Sequence, residues 1–105
     1  MSTSNYEQET PKEKVWNHAF RILKKLDCDK TVREEAKSLI ERADERGLLE
    51  NGTPKALAAG VVYIAGILRE DRMTLETIGN TVGLSGSTVG KNYMVIARGL
   101  GFSER

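Results

Sequence analysis

Ser85, Ser87, Thr88, Lys91 and Asn92 fall within the eight consecutive residues SGSTVGKN. Hydroxyls, a carboxamide and an ammonium are the groups that hydrogen-bond phosphate oxygens and base edges. If Val89, Tyr93 and Ile96 turn inward on a helix, Ser87, Lys91, Met94 and Arg98 share the outward side, with Thr88 and Asn92 on its shoulder. Ser85 stands where a helix cap would stand, and the unpaired amides of a helix start suit an anion. Lys91 and Asn92 are the foremost candidates for a base or phosphate contact. Lys55, Arg72, Thr74 and Arg98 complete the candidate DNA-contacting set.

No other chemistry competes with this one. A single cysteine, Cys28, excludes an internal disulfide and a cysteine-rich zinc site. With a single histidine, His18, neither a His/Cys metal cluster nor a Ser-His-Asp arrangement can be assembled. Asp27-Cys28-Asp29 lacks further ligands at calcium-loop spacing. Paired catalytic groups are missing, so no enzyme, cofactor, metal or small-molecule substrate is expected. Sixteen Lys and Arg stand against 15 Asp and Glu, a near balance rather than the strongly basic character of an obvious nucleic-acid binder. The first ten residues hold Glu7 and Glu9 and no base, which leaves the remainder mildly basic. The polar N-terminus has no signal-peptide core, and the apolar run Ala56 to Leu68 is shorter than the roughly 18–20 residues that span a bilayer. A soluble, cytoplasmic protein without a membrane partner is the expectation.

The elements that must position these residues are all helical. Residues 1–10 read as a tail, 11–102 as one domain and 103–105 as a second tail. Thr10-Pro11-Lys12-Glu13 supplies a cap, a first-turn proline and a capping-box glutamate. Val15, Ala19, Ile22, Leu23 and Leu26 follow on one helical face, widened by Trp16 and Phe20, and Trp16 is expected to anchor the core. Thr31-Val32-Arg33-Glu34 reads as a second capping box ahead of Val32, Ala36, Leu39, Ile40 and Ala43, with Gly47 as the stop. Thr53-Pro54 opens a third helix, expected to run to about Glu70, that is apolar on nearly every side and must therefore be surrounded by protein. Thr74 caps a fourth helix facing inward through Leu75, Ile78 and Val82. Gly83-Leu84-Ser85 forms the turn to a fifth helix, whose inward face is Val89, Tyr93, Ile96, Ala97 and Leu100. Gly86 and Gly90 each weaken that helix by about 1 kcal/mol relative to alanine. Helices four and five have the layout of a helix-turn-helix, in which one helix braces and the next enters the major groove.

Three motifs resemble a known family. Thr53-Pro54-Lys55-Ala56-Leu57-Ala58-Ala59, followed by Val62-Tyr63-Ile64-Ala65, is similar to the SPxxxAAAxIYxA helix of transcription factor B cyclin-like repeats. Thr74-Leu75-Glu76-Thr77-Ile78-Gly79 resembles the family's TQKEIA. Leu84 to Tyr93 (LSGSTVGKNY) resembles its VSEVTIRNRY. The likeness is greatest to the second, promoter-proximal repeat. It implies an all-α, cyclin-like five-helix domain around a central third helix, with helices four and five reading double-stranded promoter DNA beside TATA-binding protein. The full-length family carries a zinc ribbon and two repeats, whereas this chain holds one repeat and one cysteine, so zinc binding and polymerase recruitment of the usual kind are not expected. Ser87 stands where the family often has valine, and Gly90 where it has arginine, two positions that meet bases in the family. The alternative function is a cyclin-like adaptor that contacts only protein.

Overall fold

The computed structural model describes residues 9–102, so most of both expected tails lies outside the described residues. Among the described residues there are five α-helices and no strand: α1 Pro11–Lys25, α2 Lys30–Glu45, α3 Pro54–Leu68, α4 Leu75–Val82 and α5 Gly86–Gly99, with a short 3₁₀ turn at Leu48–Glu50 between α2 and α3. Helix starts are set locally. Thr10 Oγ1 accepts from Glu13 N at 3.1 Å while Glu13 Oε1 accepts from Thr10 N at 3.0 Å, the full capping box. Thr53, Thr74 and Ser85 each accept from the backbone N–H three residues on.

Two boundaries differ from the reading of the sequence. The cap of α2 is Asp29, not Thr31: its Oδ1 accepts from Thr31 N at 3.0 Å and from Thr31 Oγ1 at 2.7 Å. Asp29 comes first along the chain, and its short carboxylate reaches the amide two residues on, so the helix begins before the Thr31 box can act. These bonds hold the Asp29 carboxyl below its ordinary pKa. At the far end of α3 the helix stops at Leu68 rather than near Glu70. Glu70 takes a left-handed backbone, φ 59°, and Asp71 N donates back to Gly66 O at 2.8 Å.

Helix α3 packs against all four other helices. From Ala56 to Gly66 only Tyr63 is not buried, which answers the all-round apolar character of that stretch. Around it lie Val15, Ile22 and Leu23 of α1, Val32, Leu39 and Ile40 of α2, Ile78 of α4, and Val89 and Ile96 of α5. The core is purely apolar, without a buried polar or charged residue among those described. Trp16 corrects the expectation of a core anchor. It is half-buried, tilted against the exposed Phe20 ring at 5.9 Å, and lines a shallow groove between α1 and α2 with Lys37 and Ile40. The position next to Val15 falls on the seam of the two helices, where an indole covers the core edge instead of entering it.

Long-range polar contacts close the structure at helix ends. Lys25 Nζ donates to Thr81 O at 2.9 Å, and Arg46 Nη1 donates to Gly99 O at 2.9 Å. Each places a cation at the last turn of another helix, the end that favours positive charge. Arg69 Nε meets Glu35 Oε1 at 3.0 Å on the surface, a pair of the kind that contributes little to stability.

Candidate nucleic-acid interface

The helix-turn-helix is assembled on glycine. Gly83 ends α4 with φ 75°, a left-handed conformation that residues with a Cβ resist. The next amide, Leu84 N, donates to Gly79 O at 2.9 Å, folding the turn back under α4. Gly79 is buried, and a side chain there would strike the Leu84 carbonyl oxygen. Ser85 Oγ then accepts from Thr88 N at 3.2 Å and starts α5. Helix α5 is in turn held against α3 where Gly60 meets the backbone of Asn92 and Tyr93. Tyr63 and Tyr93 pack edge to face beside that crossing, with ring centroids 4.8 Å apart.

Val89, Ile96 and Ala97 are buried as the inward face of α5, with Leu100 buried just past its end, and Tyr93 is half-buried. Ser87, Lys91 and Arg98 are exposed on the opposite side with Val95, while Met94 is half-buried. Lys91 and Arg98 are seven residues apart, which on an α-helix puts them on one stripe roughly 10 Å apart along the axis. The shoulder residues face inward contacts. Asn92 Nδ2 donates to Thr88 O at 2.9 Å, and Asn92 Oδ1 would lie 3.1 Å from a Cβ on Gly52. The amide thus bonds within α5 and lies beside the turn before α3. Ser85 Oγ and Thr88 Oγ1 are 3.1 Å apart, and Thr74 Oγ1 donates to Thr77 Oγ1 at 2.8 Å while accepting from Thr77 N. These hydroxyls are therefore engaged in capping. Thr74 and the exposed Arg72 sit at the start of α4.

Lys55, in the first turn of α3, is exposed and acts electrostatically on His18 of α1. His18 is held below its ordinary pKa first by burial, then by Arg21 and Lys55. Gly90 departs from its expected outward station. It is half-buried, and a Cβ there would lie 3.4 Å from Leu75 Cδ1 of α4. One residue past the fully buried Val89, it is turned about 100° toward α4. The space is open enough for a methyl group, so Gly90→Ala is expected to stabilise the protein by about 0.5–1 kcal/mol through helix propensity. Equilibrium urea unfolding measures this, and a loss of stability would contradict it.

Elsewhere the described residues offer no rival chemistry. Burial, and then Asp71, Asp29 and Asp27, push the half-buried Cys28 thiol up in pKa, the opposite of an activated nucleophile. Its Sγ lies 3.7 Å from Met73 Sδ. No cluster of three or more His, Cys, Asp or Glu among the described residues is placed to hold a metal ion. No described helix is long and apolar enough to cross a membrane.

Comparison with known proteins decides the family. The model of the transcription factor TFIIB repeat matches residues 7–98, most of the chain. This chain belongs to the TFIIB repeat family. A transcription initiation factor IIB of Methanopyrus kandleri is 32% identical over 85 residues, covering 81% of this chain and 28% of that protein. The Aeropyrum pernix protein of the same name is 31% identical over 94 residues, covering 90% of this chain and 29% of its own length. A third, from Saccharolobus shibatae, is 30% identical over 87 residues and is covered to 28%. The chain thus spans under a third of the curated relatives it matches, the extent of one TFIIB repeat. The four helices packed around α3, with the helix-turn-helix made by α4 and α5 among them, are the frame of this TFIIB repeat.

Proposed function

We propose that this TFIIB repeat acts in transcription initiation or its regulation by binding double-stranded promoter DNA through α4 and α5, beside TATA-binding protein, in the cytoplasm of an archaeal cell. The observation that carries this reading is the outward stripe of Ser87, Lys91 and Arg98 on a helix whose other side is locked to the core, within a chain of this family. Binding through a preformed helix face avoids ordering that helix on contact. Lys91 serves as the principal phosphate or base contact, and Ser87 and Arg98 extend the footprint along α5. Arg72 and Thr74 contribute from the start of α4. Ser85, Thr88 and Asn92 hold the geometry through their internal bonds and share remaining hydrogen-bonding capacity with DNA. Lys55 adds positive charge from the start of α3. The organisms of the relatives support the archaeal setting, and the resemblance of the α3, α4 and α5 motifs to the second repeat supports a position next to the promoter.

A salt-dependent titration with promoter duplex tests the reading. About three to five phosphate contacts give a slope of log affinity against log salt near −3 to −4. Lys91→Ala is expected to weaken binding and to reduce that slope by about one. An unchanged slope would move the phosphate contact away from Lys91. Absence of binding at low salt would remove the DNA reading and leave an adaptor that meets only protein.

A further inference from the structure

Helix α5 begins at Gly86, and the side chain of Glu76 from the first turn of α4 lies across it. Glu76 Oε2, Cδ and Cγ stand 2.9, 3.1 and 3.3 Å from the point a Gly86 Cβ would occupy. A side chain at position 86 would displace this carboxylate, whereas glycine admits it. Glu76 is exposed, so its charge acts into solvent on the side where α4 and α5 begin. Two consequences of opposite sign follow. A negative charge at the start of α5 complements the positive end of the helix dipole and steadies a helix that carries glycine at its first position. The same charge repels any phosphate brought to that end of the helix-turn-helix.

We propose that Glu76 is the negative determinant of DNA affinity in this repeat: its carboxylate stabilises the free protein and opposes the DNA backbone at the start of α5. The proposal rests on the DNA reading above and adds to it a residue that limits binding. Repulsion between exposed charges is screened by salt, so the limit is strongest at low ionic strength and fades as salt rises.

The test uses the whole chain and one promoter duplex. Glu76→Gln preserves size and removes the charge, and Glu76→Asp keeps the charge on a shorter stem. At about 50 mM salt Glu76→Gln is expected to bind about fivefold more tightly than the unaltered protein, with the gap closing as salt increases. Glu76→Asp is expected to stay within about twofold of the unaltered protein. In the absence of DNA, Glu76→Gln is expected to melt at a lower temperature, with far-UV circular dichroism confirming the fold. Equal low-salt affinity of Glu76→Gln and the unaltered protein, while Lys91→Ala still loses affinity, overturns this proposal and leaves the DNA reading standing. A gap that persists unchanged at high salt, or Glu76→Asp binding as tightly as Glu76→Gln, shows that charge is not the determinant and overturns it as well. No DNA binding by any of these proteins at low salt overturns both readings.

Discussion

Ile78→Ala is expected to destabilise the protein by about 2–5 kcal/mol, the range for deleting a fully buried aliphatic side chain that leaves a cavity. Ile78 has no exposed surface, and with Gly79 it makes up the buried part of α4. Eight residues are too few for a helix to persist on propensity alone. Docking of α4 therefore depends on this one side chain more than any other helix depends on one of its own; α1, for comparison, buries Val15, Ala19, Ile22 and Leu23. Chemical denaturation measures the loss, and hydrogen exchange locates it. The amides of α4 should exchange faster than those of α1 and α2, because the local unit opens before the whole molecule does. A loss below about 1 kcal/mol would show that the site collapses around the smaller residue and that α4 is held by other contacts.

Gly60→Ala is expected to destabilise by about 1–3 kcal/mol, although the same substitution in an open helix position would stabilise by about 1 kcal/mol. The sign turns on what a Cβ would meet. At Gly60 it would lie 2.8 Å from Tyr93 N, 2.9 Å from Asn92 C and 3.0 Å from Tyr93 Cα. All three are backbone atoms, which cannot rotate aside as a side-chain tip can. Helices α3 and α5 must separate, and the Tyr63–Tyr93 contact beside them must loosen. Gly90→Ala, whose Cβ would meet only a leucine methyl, is the internal control of opposite sign. The separation also moves Lys91, so DNA affinity should fall in a Gly60→Ala protein that is still folded under the assay conditions. Unfolding curves for the two alanine variants check the contrast, and a stabilising Gly60→Ala would overturn it.

Local rules account for much of what the sequence discloses. Thr10, Thr53, Thr74 and Ser85 cap helices because each hydroxyl needs only an amide three residues away. Gly83 ends α4 because its own backbone takes the left-handed turn. Where two local solutions compete the reading fails, as at Asp29 and Thr31, since spacing alone does not say which oxygen reaches an amide first. Trp16 and Gly90 fail for a different reason. Periodicity assigns a side of a helix, but whether an indole enters the core or lies over its seam depends on how α1 and α2 approach. The outward station of Gly90 is implied only by the family resemblance, and Gly90 faces Leu75 because α4 is docked there.

The candidate interface divides along the same line. Composition and spacing pick out Ser87, Lys91 and Arg98 as one outward stripe, since a helix repeats every 3.6 residues whatever surrounds it. They say nothing of Asn92 binding Thr88 O, of Lys25 reaching Thr81 O across 56 positions, or of Glu76 lying over Gly86. By itself the sequence determined the five helices, the caps of all but α2 and the central place of α3, because these follow from contacts within a few residues and from which faces must leave water. Only the tertiary structure decided which polar groups remain available to a ligand and which charge stands among them, because those depend on distances between segments that the chain order does not set.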